Sequence, residues 1–587
     1  MTLVTEKGQS WYFGARFGAG AAASSEARPM IRLSSCAAAL LTAGVVTFSS
    51  PAEACGCFAP PDPATPVVQA GERILFAVEN GKVTAHIQIQ YAGNAKDFGW
   101  IVPLPSVPVV KAGTDELFTQ LLATTTPSYK VENDFSGAQC PQATGGFALG
   151  CGGSPVALNR AAGPPTQEAT PSPVVVQSTV GSFEYAVLKA DDKAEMLKWL
   201  ADNRYFIPTG TEDVIGPYVR PGAFFLALKL QSGASTGDIT PIVLEYASQL
   251  PMVPIILTSV AAQPNMGIQV WLLGNGRAVP RNYHHVVVND AELDWLSGVD
   301  NYAAVVTKAV AETPEKHAFV TEYAGPSAPM RDKVVTRGQF GTEENLASAT
   351  TPGDFVTRLL VAGFGRDNVL PPVVRSVFFS QLPYPPALEQ AGVSRERFLQ
   401  DVDYFLGTFR QQRPELFTGY TSTFDAPSLA RAVFAQYVTP MRELNQLFTT
   451  HPKLTRLFTT LSPADMTRDP VFSFNATLPD VPREHTAKLK MGCGSSTLVT
   501  EQGVELQVVG QQLSRKATPK ALRIETVLEE GAPTVMTDNA SVIVEAYKPA
   551  AAAMTPPMQG CSVVDPTSLG LLVLVAKLRR QRKGTRS

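Results

Sequence analysis

GERILFAVENGKVTAHIQIQ, residues 71–90, carries the clearest fold signal in the chain, because two alternating segments flank Asn80-Gly81. Asn-Gly is a preferred sequence for a two-residue hairpin turn. If Ile74 pairs with Ile87, the apolar residues of both segments share one face. The same register pairs a glutamate with a lysine directly beside the turn, which is a favourable cross-strand pair. The stretch therefore predicts an antiparallel hairpin.

Further segments alternate apolar residues with period two, which is typical of strands with one buried face. They lie at residues 183–187, 224–230, 242–246 and 268–272, each bounded by Gly, Pro or Asn. Two other stretches, 192–203 and 301–312, place apolar residues at helical spacing. Residues 55–325 are therefore predicted to form a β-rich domain with a predominantly antiparallel sheet.

Beyond a predicted linker at residues 326–344, the spacing of apolar residues changes from the strand period to the helical period. Thr351-Pro352 followed by Asp354 is a typical helix start, and apolar residues then recur on one helical face. A wide apolar stripe with several Phe residues follows Ser394. Residues 345–493 are predicted to form a mainly helical domain, in which the aromatic residues are most simply core residues.

Strand-like alternation returns at Val504-x-Leu506-x-Val508 and at Val542-x-Val544. Residues 494–547 are therefore predicted to form a small β region, and residues 548–568 a linker rich in Pro and Ala. Together these regions predict an α+β fold with a predominantly antiparallel N-terminal sheet domain, a mainly helical middle region and a small C-terminal β region.

Residues 1–54 have the features of an N-terminal extension followed by a secretory signal peptide. Met30-Ile-Arg supplies a start and a positive charge, residues 36–48 supply the apolar segment, and Ala52-Glu-Ala54 supplies the cleavage motif. The export machinery normally meets its apolar segment near the start of a chain. Met30 is therefore favoured over Met1 as the true start.

Cleavage after Ala54 would make Cys55 the new N-terminus, which invites a lipoprotein interpretation. A lipoprotein signal prefers an aliphatic residue at the third position before the cleavage point and a small residue at the second. This chain has Ala52 and Glu53 there, so ordinary signal-peptidase cleavage is favoured. The protein is predicted to be exported to the periplasm, the outer membrane or the cell surface.

The C-terminal tail, residues 569–587, joins an apolar run at 569–576 to a cluster of Lys and Arg. That run is much shorter than the roughly 20 residues of a spanning helix. With Gly560-Cys561 and a short spacer before it, the tail resembles the C-terminal sorting segments of exported myxobacterial proteins. The resemblance implies processing near Cys561 and membrane association through the tail. The alternative is a frayed basic tail.

The folded body is predicted to keep Cys55, Cys57, Cys140, Cys151 and Cys493 of the seven Cys. Disulfides are expected in an oxidising compartment. Cys140 and Cys151 flank a Gly-containing loop and are the favoured pair, while Cys55 or Cys57 could then meet Cys493. A metal site at Cys55-x-Cys57 is the alternative, but its spacing differs from that of structural zinc sites. No cofactor is predicted.

Charge and motifs exclude several classes of function. The net charge is -3, and the dense basic run lies only at the C-terminus, so nucleic-acid binding is not expected. The chain contains no His-Glu-x-x-His motif. Its one His cluster is His284-His285, and neighbours in a strand point to opposite faces. Only one of these two side chains could therefore reach a given metal or substrate. His86 lies on the polar face of the predicted hairpin.

Four motifs carry a family resemblance: Glu72-Arg73-Ile74, Phe98-Gly-Trp-Ile-Val-Pro-Leu-Pro105, Leu197-x-Trp199-Leu200 and Gln269-Val-Trp-Leu-Leu273. They resemble the family called domain of unknown function 2330, over roughly residues 55 to 325. The resemblance implies an exported bacterial protein with clustered Cys after its signal, often tethered by a C-terminal hydrophobic segment. It implies no reaction and no catalytic residues.

Two functional hypotheses follow from these observations. The leading one is a non-catalytic surface or envelope protein that is presented on a Pro/Ala stalk and binds an envelope or extracellular protein partner. The rival is an envelope hydrolase or metal-dependent enzyme with a site assembled near His284 or His285. The rival requires an Asp, Glu, Cys or Ser side chain within hydrogen-bond reach of one of these His residues in a cleft.

Overall fold

The computed structural model describes residues 68–92, 98–135, 173–205, 207, 212–231, 238–492 and 495–548. These residues all belong to one compact unit, Ala52–Ser587. The strands within them are β1 Val68–Glu79, β2 Lys82–Ala92, β3 Gly99–Leu104, β4 Val109–Ala112, β5 Ser128–Asp134, β6 Val174–Val180, β7 Phe183–Lys189, β8 Phe224–Leu230, β9 Ile242–Ala247, β10 Ala262–Gly274, β11 Arg277–Pro280, β12 His284–Val288, β13 Ala318–Pro326, β14 Lys453–Leu461, β15 Phe472–Asn475, β16 Glu484–Gly492, β17 Ser495–Val499, β18 Glu505–Val509, β19 Gln512–Leu513, β20 Ala521–Thr526 and β21 Thr534–Asp538.

The hairpin predicted at residues 71–90 is confirmed in its register. β1 and β2 are antiparallel, Ile74 pairs with Ile87, and Glu79 pairs with Lys82. Asn80 and Gly81 both have positive φ angles, 52° and 74°, as the tight hairpin turn requires. The turn dipeptide and the cross-strand charge pair therefore agree on one local structure.

The largest sheet among the described residues has ten strands in the order β21-β20-β12-β13-β14-β10-β1-β2-β9-β4. The β1–β10 and β12–β13 pairs are parallel, and the other pairs in this sheet are antiparallel. A second, antiparallel sheet has the order β3-β8-β7-β6. The segments predicted as strands at 183–187, 224–230, 242–246 and 268–272 lie in β7, β8, β9 and β10. The prediction of a predominantly antiparallel N-terminal sheet is confirmed.

The ten-stranded sheet is buried on both faces, and its side chains alternate between two cores. Ile74 and Phe76 pack in the core that also contains the four-stranded sheet. Leu75 and Trp271 pack in a second core formed with the helices of the middle region. The face of the hairpin that carries His86 is therefore covered as well, and His86 is buried.

The α-helices of the described residues are α1 Asp115–Thr125, α2 Lys193–Asp202, α3 Ile255–Thr258, α4 Tyr302–Ala311, α5 Glu343–Ala347, α6 Pro352–Val361, α7 Pro372–Gln381, α8 Pro386–Gln390, α9 Arg395–Gln400, α10 Val402–Tyr404, α11 Arg410–Gln412, α12 Ala426–Val433, α13 Thr439–Thr450 and α14 Ala540–Tyr547. Two single π-turns, Phe405–Phe409 and Phe434–Val438, interrupt the middle helices. The helices predicted at 192–203 and 301–312 are observed as α2 and α4.

The helices of the middle region form an insertion between two neighbouring strands of the large sheet. The chain leaves at β13 and returns at β14, which pairs with both β13 and β10. The predicted helix start is confirmed, because the Thr351 hydroxyl accepts a hydrogen bond of 3.1 Å from the Asp354 backbone N–H. The helices end at Thr450, and β14, β15 and β16 occupy the remainder of the range predicted as mainly helical.

The C-terminal part of the chain contributes to two sheets. β16 to β19 form a five-stranded sheet with β5, which pairs in parallel with β16. β20 and β21 extend the ten-stranded sheet beyond β12. The strand predicted at Val542-x-Val544 is wrong, since these residues lie in α14. Both are exposed, and Ile543 between them is buried, so the apolar alternation reflects one buried position on a helix.

Candidate ligand-binding cavity

A cavity of about 510 Å³ is lined by residues from both the ten-stranded and the five-stranded sheet. One wall is formed by β12, β20 and β21, and includes His285, Arg523 and Val535. The lining also includes Tyr129 of β5 and His485 of β16. The volume lies within the range of small-molecule sites, and the wall mixes aromatic with polar groups as such sites do.

His285 is the central polar group of this cavity, and only 7% of its surface is exposed. The antiparallel pairing of β12 with β20 puts it opposite Glu525. Its Nδ1 lies 3.1 Å from Glu525 Oε2, and its Nε2 lies 3.0 Å from Thr321 Oγ1. Burial lowers the pKa of His285, and the hydrogen bond to Glu525 opposes that effect. A neutral ring that donates from Nδ1 to Glu525 and accepts at Nε2 from the Thr321 hydroxyl satisfies both contacts.

Glu525 is shared between His285 and an arginine. Its Oε1 lies 3.1 Å from Arg523 Nε, although the two groups are not aligned for a hydrogen bond. Burial would raise the pKa of Glu525, but the hydrogen bond from His285 and the nearby positive charges outweigh it and lower the pKa. Glu525 is therefore a carboxylate at neutral pH.

Arg277 of β11 reaches the same part of the cavity. One guanidinium nitrogen donates to Thr321 Oγ1 at 3.0 Å and lies 3.4 Å from His285 Nε2. Burial lowers the pKa of Arg277. Its Nε is buried and has no hydrogen-bond partner among the described residues. Thr321, His285 and Arg277 thus form one polar cluster.

Glu322 connects the cavity to a buried ion pair. Its Oε2 accepts a hydrogen bond of 2.5 Å from Arg456 Nε, and Arg456 also donates to Gln269 Oε1 at 2.9 Å. Both charged side chains are almost fully buried. Burial raises the pKa of Tyr302, which also lines the cavity, and the Glu322 charge adds to the effect. This network holds the side chain of Glu322, which lines the cavity, in place.

Aromatic rings around Tyr129 form another part of the cavity lining. The Tyr129 ring packs edge-on against Trp295, with centroids 5.3 Å apart, and stacks on His485 at 5.0 Å. The His485 Nδ1 in turn lies 2.8 Å from Glu501 Oε2. Burial raises the pKa of Tyr129, so its hydroxyl stays protonated. The rings offer a flat apolar surface beside polar groups.

A second buried carboxylate, Asp290, lies beyond the C-terminal end of β12. Its Oδ2 accepts a hydrogen bond of 2.9 Å from the Gln502 backbone N–H. Its Oδ1 is buried without a hydrogen-bond partner among the described residues. Burial raises the pKa of Asp290 to about 6. Arg277 therefore lies beside His285 near the N-terminal end of β12, Arg523 pairs with Val287, and Asp290 lies beyond the C-terminal end.

The two neighbouring His residues have different surroundings, as the strand alternation predicted. His285 lines the cavity and His284 does not. Burial lowers the pKa of His284, and the positive charge of Arg468 adds to the effect. The hydrogen bond between His285 and Glu525 meets the requirement set for an enzymatic site, a carboxylate within reach of one His in a cleft.

The other residues predicted for processing or cross-linking lie outside the described residues. They are Ala54 and Cys55 at the signal cleavage point, the disulfide candidates Cys55, Cys57, Cys140, Cys151 and Cys493, and Cys561 of the tail. Within the described ranges, no group of three or more His, Cys, Asp or Glu side chains is arranged to hold a metal ion. No helix in those ranges has the length and apolar character to cross a membrane.

Sequence reasoning missed most of the residues around His285. Thr321 and Glu525 come from β13 and β20, which pair with β12 over long stretches of sequence, and Arg277 comes from β11, the strand that precedes β12 in the chain. The one local signal was the His285 position itself, followed by the Val-rich strand. The structure also places His485 against Glu501, a contact that the sequence analysis did not predict.

The fold and the cavity together define an α+β protein with a polar and aromatic cavity between two sheets. A family model described as "Uncharacterized protein conserved in bacteria (DUF2330)" matches residues 51–363. Because the match covers more than half of the chain, the chain belongs to this family, as the resemblance predicted. It extends beyond the predicted range into α5 and α6. No curated protein and no solved structure shows a significant match.

Proposed function

We propose that this chain is an exported bacterial envelope protein with a non-catalytic binding role, and that the cavity beside β12 is its binding site. The observation that carries the binding role is a cavity of about 510 Å³ that is lined both by the buried His285–Glu525 pair and by the Tyr129 and Trp295 rings. Preorganised polar groups give orientation, and the rings give apolar contact area. A small molecule with both kinds of surface fits this wall.

Export is supported by the apolar segment at 36–48, the Ala54–Cys55 cleavage motif and the basic C-terminal tail. Intact mass spectrometry of the protein from its native envelope, with and without reduction and alkylation, tests this part. We expect a chain that begins at Cys55 and ends near Cys561 with an added anchor. A chain that retains Met1 and Ser587 with free thiols would contradict export. The protein partner on the cell surface also stays a prediction.

Native mass spectrometry of the gently purified protein tests the binding role. Val287 lines the cavity, so Val287→Trp fills it with a large side chain. We expect a small molecule to copurify with the wild-type chain and to be lost from this variant. Val509→Trp is the matched control, because Val509 is 70% exposed on β18 and does not line the cavity. Equal retention of the molecule by both variants would rule out the cavity as its site.

A hydrolase centred on His285 is the second candidate, and one observation favours it. The chain of contacts from the Thr321 hydroxyl through His285 to Glu525 resembles the arrangement in which a carboxylate orients a His that serves as general base. In this mechanism His285 Nε2 takes a proton from a bound water or from Thr321. The metal-dependent form has no support among the described residues.

A panel of ester and amide substrates discriminates the two candidates. A hydrolase would lose its turnover in His285→Gln and keep it in the matched variant His451→Gln, because His451 is buried elsewhere with backbone partners. We expect no turnover from the wild-type chain. Turnover that depends on His285 would replace the non-catalytic proposal with the enzymatic one.

A further inference from the structure

The charge of Arg277 has no ion-pair partner among the described residues of the cavity. Its guanidinium donates to the neutral Thr321 hydroxyl and lies beside the His285 ring. No carboxylate among the described residues lies within 4 Å of it in an ion pair, and its Nε is buried without a partner there. An arginine stays charged in proteins, so a partly buried guanidinium favours an anionic partner.

The nearest carboxylate on the cavity wall is already engaged. Glu525 contacts His285 through Oε2 and Arg523 through Oε1. Glu322 is likewise paired with Arg456. Arg277 and Arg523 both line the cavity, Glu525 contacts Arg523, and the charges of Glu525 and Asp480 act on Arg277 without forming an ion pair with it.

We propose that Arg277, together with Arg523 of the same cavity, binds the anionic group of a small-molecule ligand, a carboxylate or a phosphate. This inference rests on the proposed binding function of the cavity. The planar guanidinium presents paired N–H donors that match the oxygens of either group. The apolar part of the ligand lies against Tyr129 and Trp295.

Asp290 limits where the negative charge of the ligand can be. It lines the same cavity near the other end of β12, and its buried Oδ1 has no partner within the described part of the chain. A second anionic group there would meet this carboxylate and the Glu501 side chain. The cavity therefore favours a ligand that is anionic at one end and neutral or cationic at the other.

Thermal unfolding and isothermal titration calorimetry of the full exported chain test the assignment. The probes are inorganic phosphate and benzoate, with sodium chloride added to keep the ionic strength constant. We expect at least one probe to raise the melting temperature of the wild-type chain and to bind Arg277→Met at least tenfold more weakly. Arg281→Met is the matched control, because Arg281 is an exposed arginine four positions along that pairs with Glu529 at 3.5 Å.

Arg277→Lys keeps the inference testable if the Met variant does not fold. Lysine retains the charge but loses the paired donors, so we expect binding several-fold weaker than in the wild-type chain. A response to phosphate alone would identify a phosphorylated ligand, and a response to benzoate alone a carboxylate. Equal binding by the wild-type chain and a folded Arg277 variant would overturn the assignment.

The outcomes also separate this inference from the proposed function. If neither anion binds the wild-type chain, but a neutral molecule copurifies and is lost from Val287→Trp, the anionic ligand is wrong and the binding role stands. If neither anion binds and no copurifying molecule depends on Val287, both the anionic ligand and the binding role are wrong.

Discussion

Two buried histidines on the ten-stranded sheet, His285 at the cavity and His86 in the β1–β2 hairpin, have opposite surroundings. His285 is 7% exposed and contacts Glu525 and Thr321. His86 is 4% exposed, and neither of its ring nitrogens has a hydrogen-bond partner among the described residues. Burial is the largest cause of a lowered pKa at both. The comparison shows that hydrogen-bond partners, rather than burial, distinguish a histidine in a polar site from a histidine that is only buried.

The space around His86 explains why it has no partner. The helical insertion covers it with Tyr437, Met441 and Leu444, which offer mainly apolar contacts. The Lys111–Glu245 ion pair lies close, but its two charges act on His86 in opposite directions. Burial therefore lowers the pKa of His86 to about 4.

Removing the partner of a buried charge should produce the largest effect. Arg456→Met would leave Glu322 buried without its ion pair, and we expect a loss of about 3 to 5 kcal/mol in the free energy of unfolding. Urea denaturation at pH 7 measures this loss. Adding Glu322→Gln should recover part of it, because the orphaned charge is then removed.

Lys453→Met on the same strand is the control for Arg456→Met. Lys453 pairs with Asp480 at 2.6 Å, but both side chains are much more exposed. We expect a change of less than about 1 kcal/mol there. A similar loss in both variants would mean that burial of the Glu322–Arg456 pair does not set its contribution.

His86 should make the protein sensitive to acid. Its folded pKa of about 4 lies below the ordinary value of 6.5, so the folded state favours the neutral ring. The resulting stability is fully present above about pH 6.5 and is lost as the pH falls towards 4. We expect His86 to contribute a loss of roughly 3 kcal/mol across this window, which is the difference in pH dependence between the wild-type chain and His86→Leu. Urea denaturation at several pH values measures the slope.

His485→Gln is the control for His86→Leu, because His485 has a carboxylate partner and is only partly buried. It should leave the slope due to His86 in place. An unchanged acid slope in His86→Leu would show that the enclosed ring does not control acid stability, and the contrast with His285 would lose its basis.

Asp290 should change the free energy of unfolding in the opposite direction over a similar pH range. Its pKa of about 6 lies above the ordinary 3.8, so the folded state favours the protonated acid. That stability is present below about pH 3.8 and is lost as the pH rises through 6, by up to about 3 kcal/mol. Asp290→Asn should remove this slope and leave the acid loss due to His86 more visible in denaturation curves.

The matching control for Asp290→Asn is Asp294→Asn, since Asp294 is only partly buried and pairs with Arg515. It should leave the pH slope unchanged. If Asp290→Asn also leaves it unchanged, the buried carboxylate is not protonated in the folded state near pH 6, and its end of the cavity is more polar than its contacts indicate.

Local sequence determined the hairpin but not the cavity. Asn80-Gly81 and the alternation around it specify a register, because every relevant contact lies within twenty residues. The His285 cluster depends on β20, whose Glu525 lies 240 positions away along the chain. No period-two pattern encodes which distant strand pairs with β12. The burial of His86 could not be predicted from local sequence either, because the residues that cover it belong to α13 and the π-turn before it.

Removing the charge of Glu525, the partner of His285, should have the smallest effect on the free energy of unfolding. Glu525→Gln keeps an oxygen that can accept from His285 Nδ1 but removes the negative charge that opposes the effect of burial. We expect the pKa of His285 to fall further, and the free energy of unfolding to fall by about 1 kcal/mol. NMR titration of the His ring protons measures the pKa directly. Glu529→Gln, an exposed carboxylate paired with Arg281, should leave it unchanged. A rise in the pKa would mean that Glu525 does not stabilise the protonated ring, and that the arginines around the cavity dominate its electrostatics.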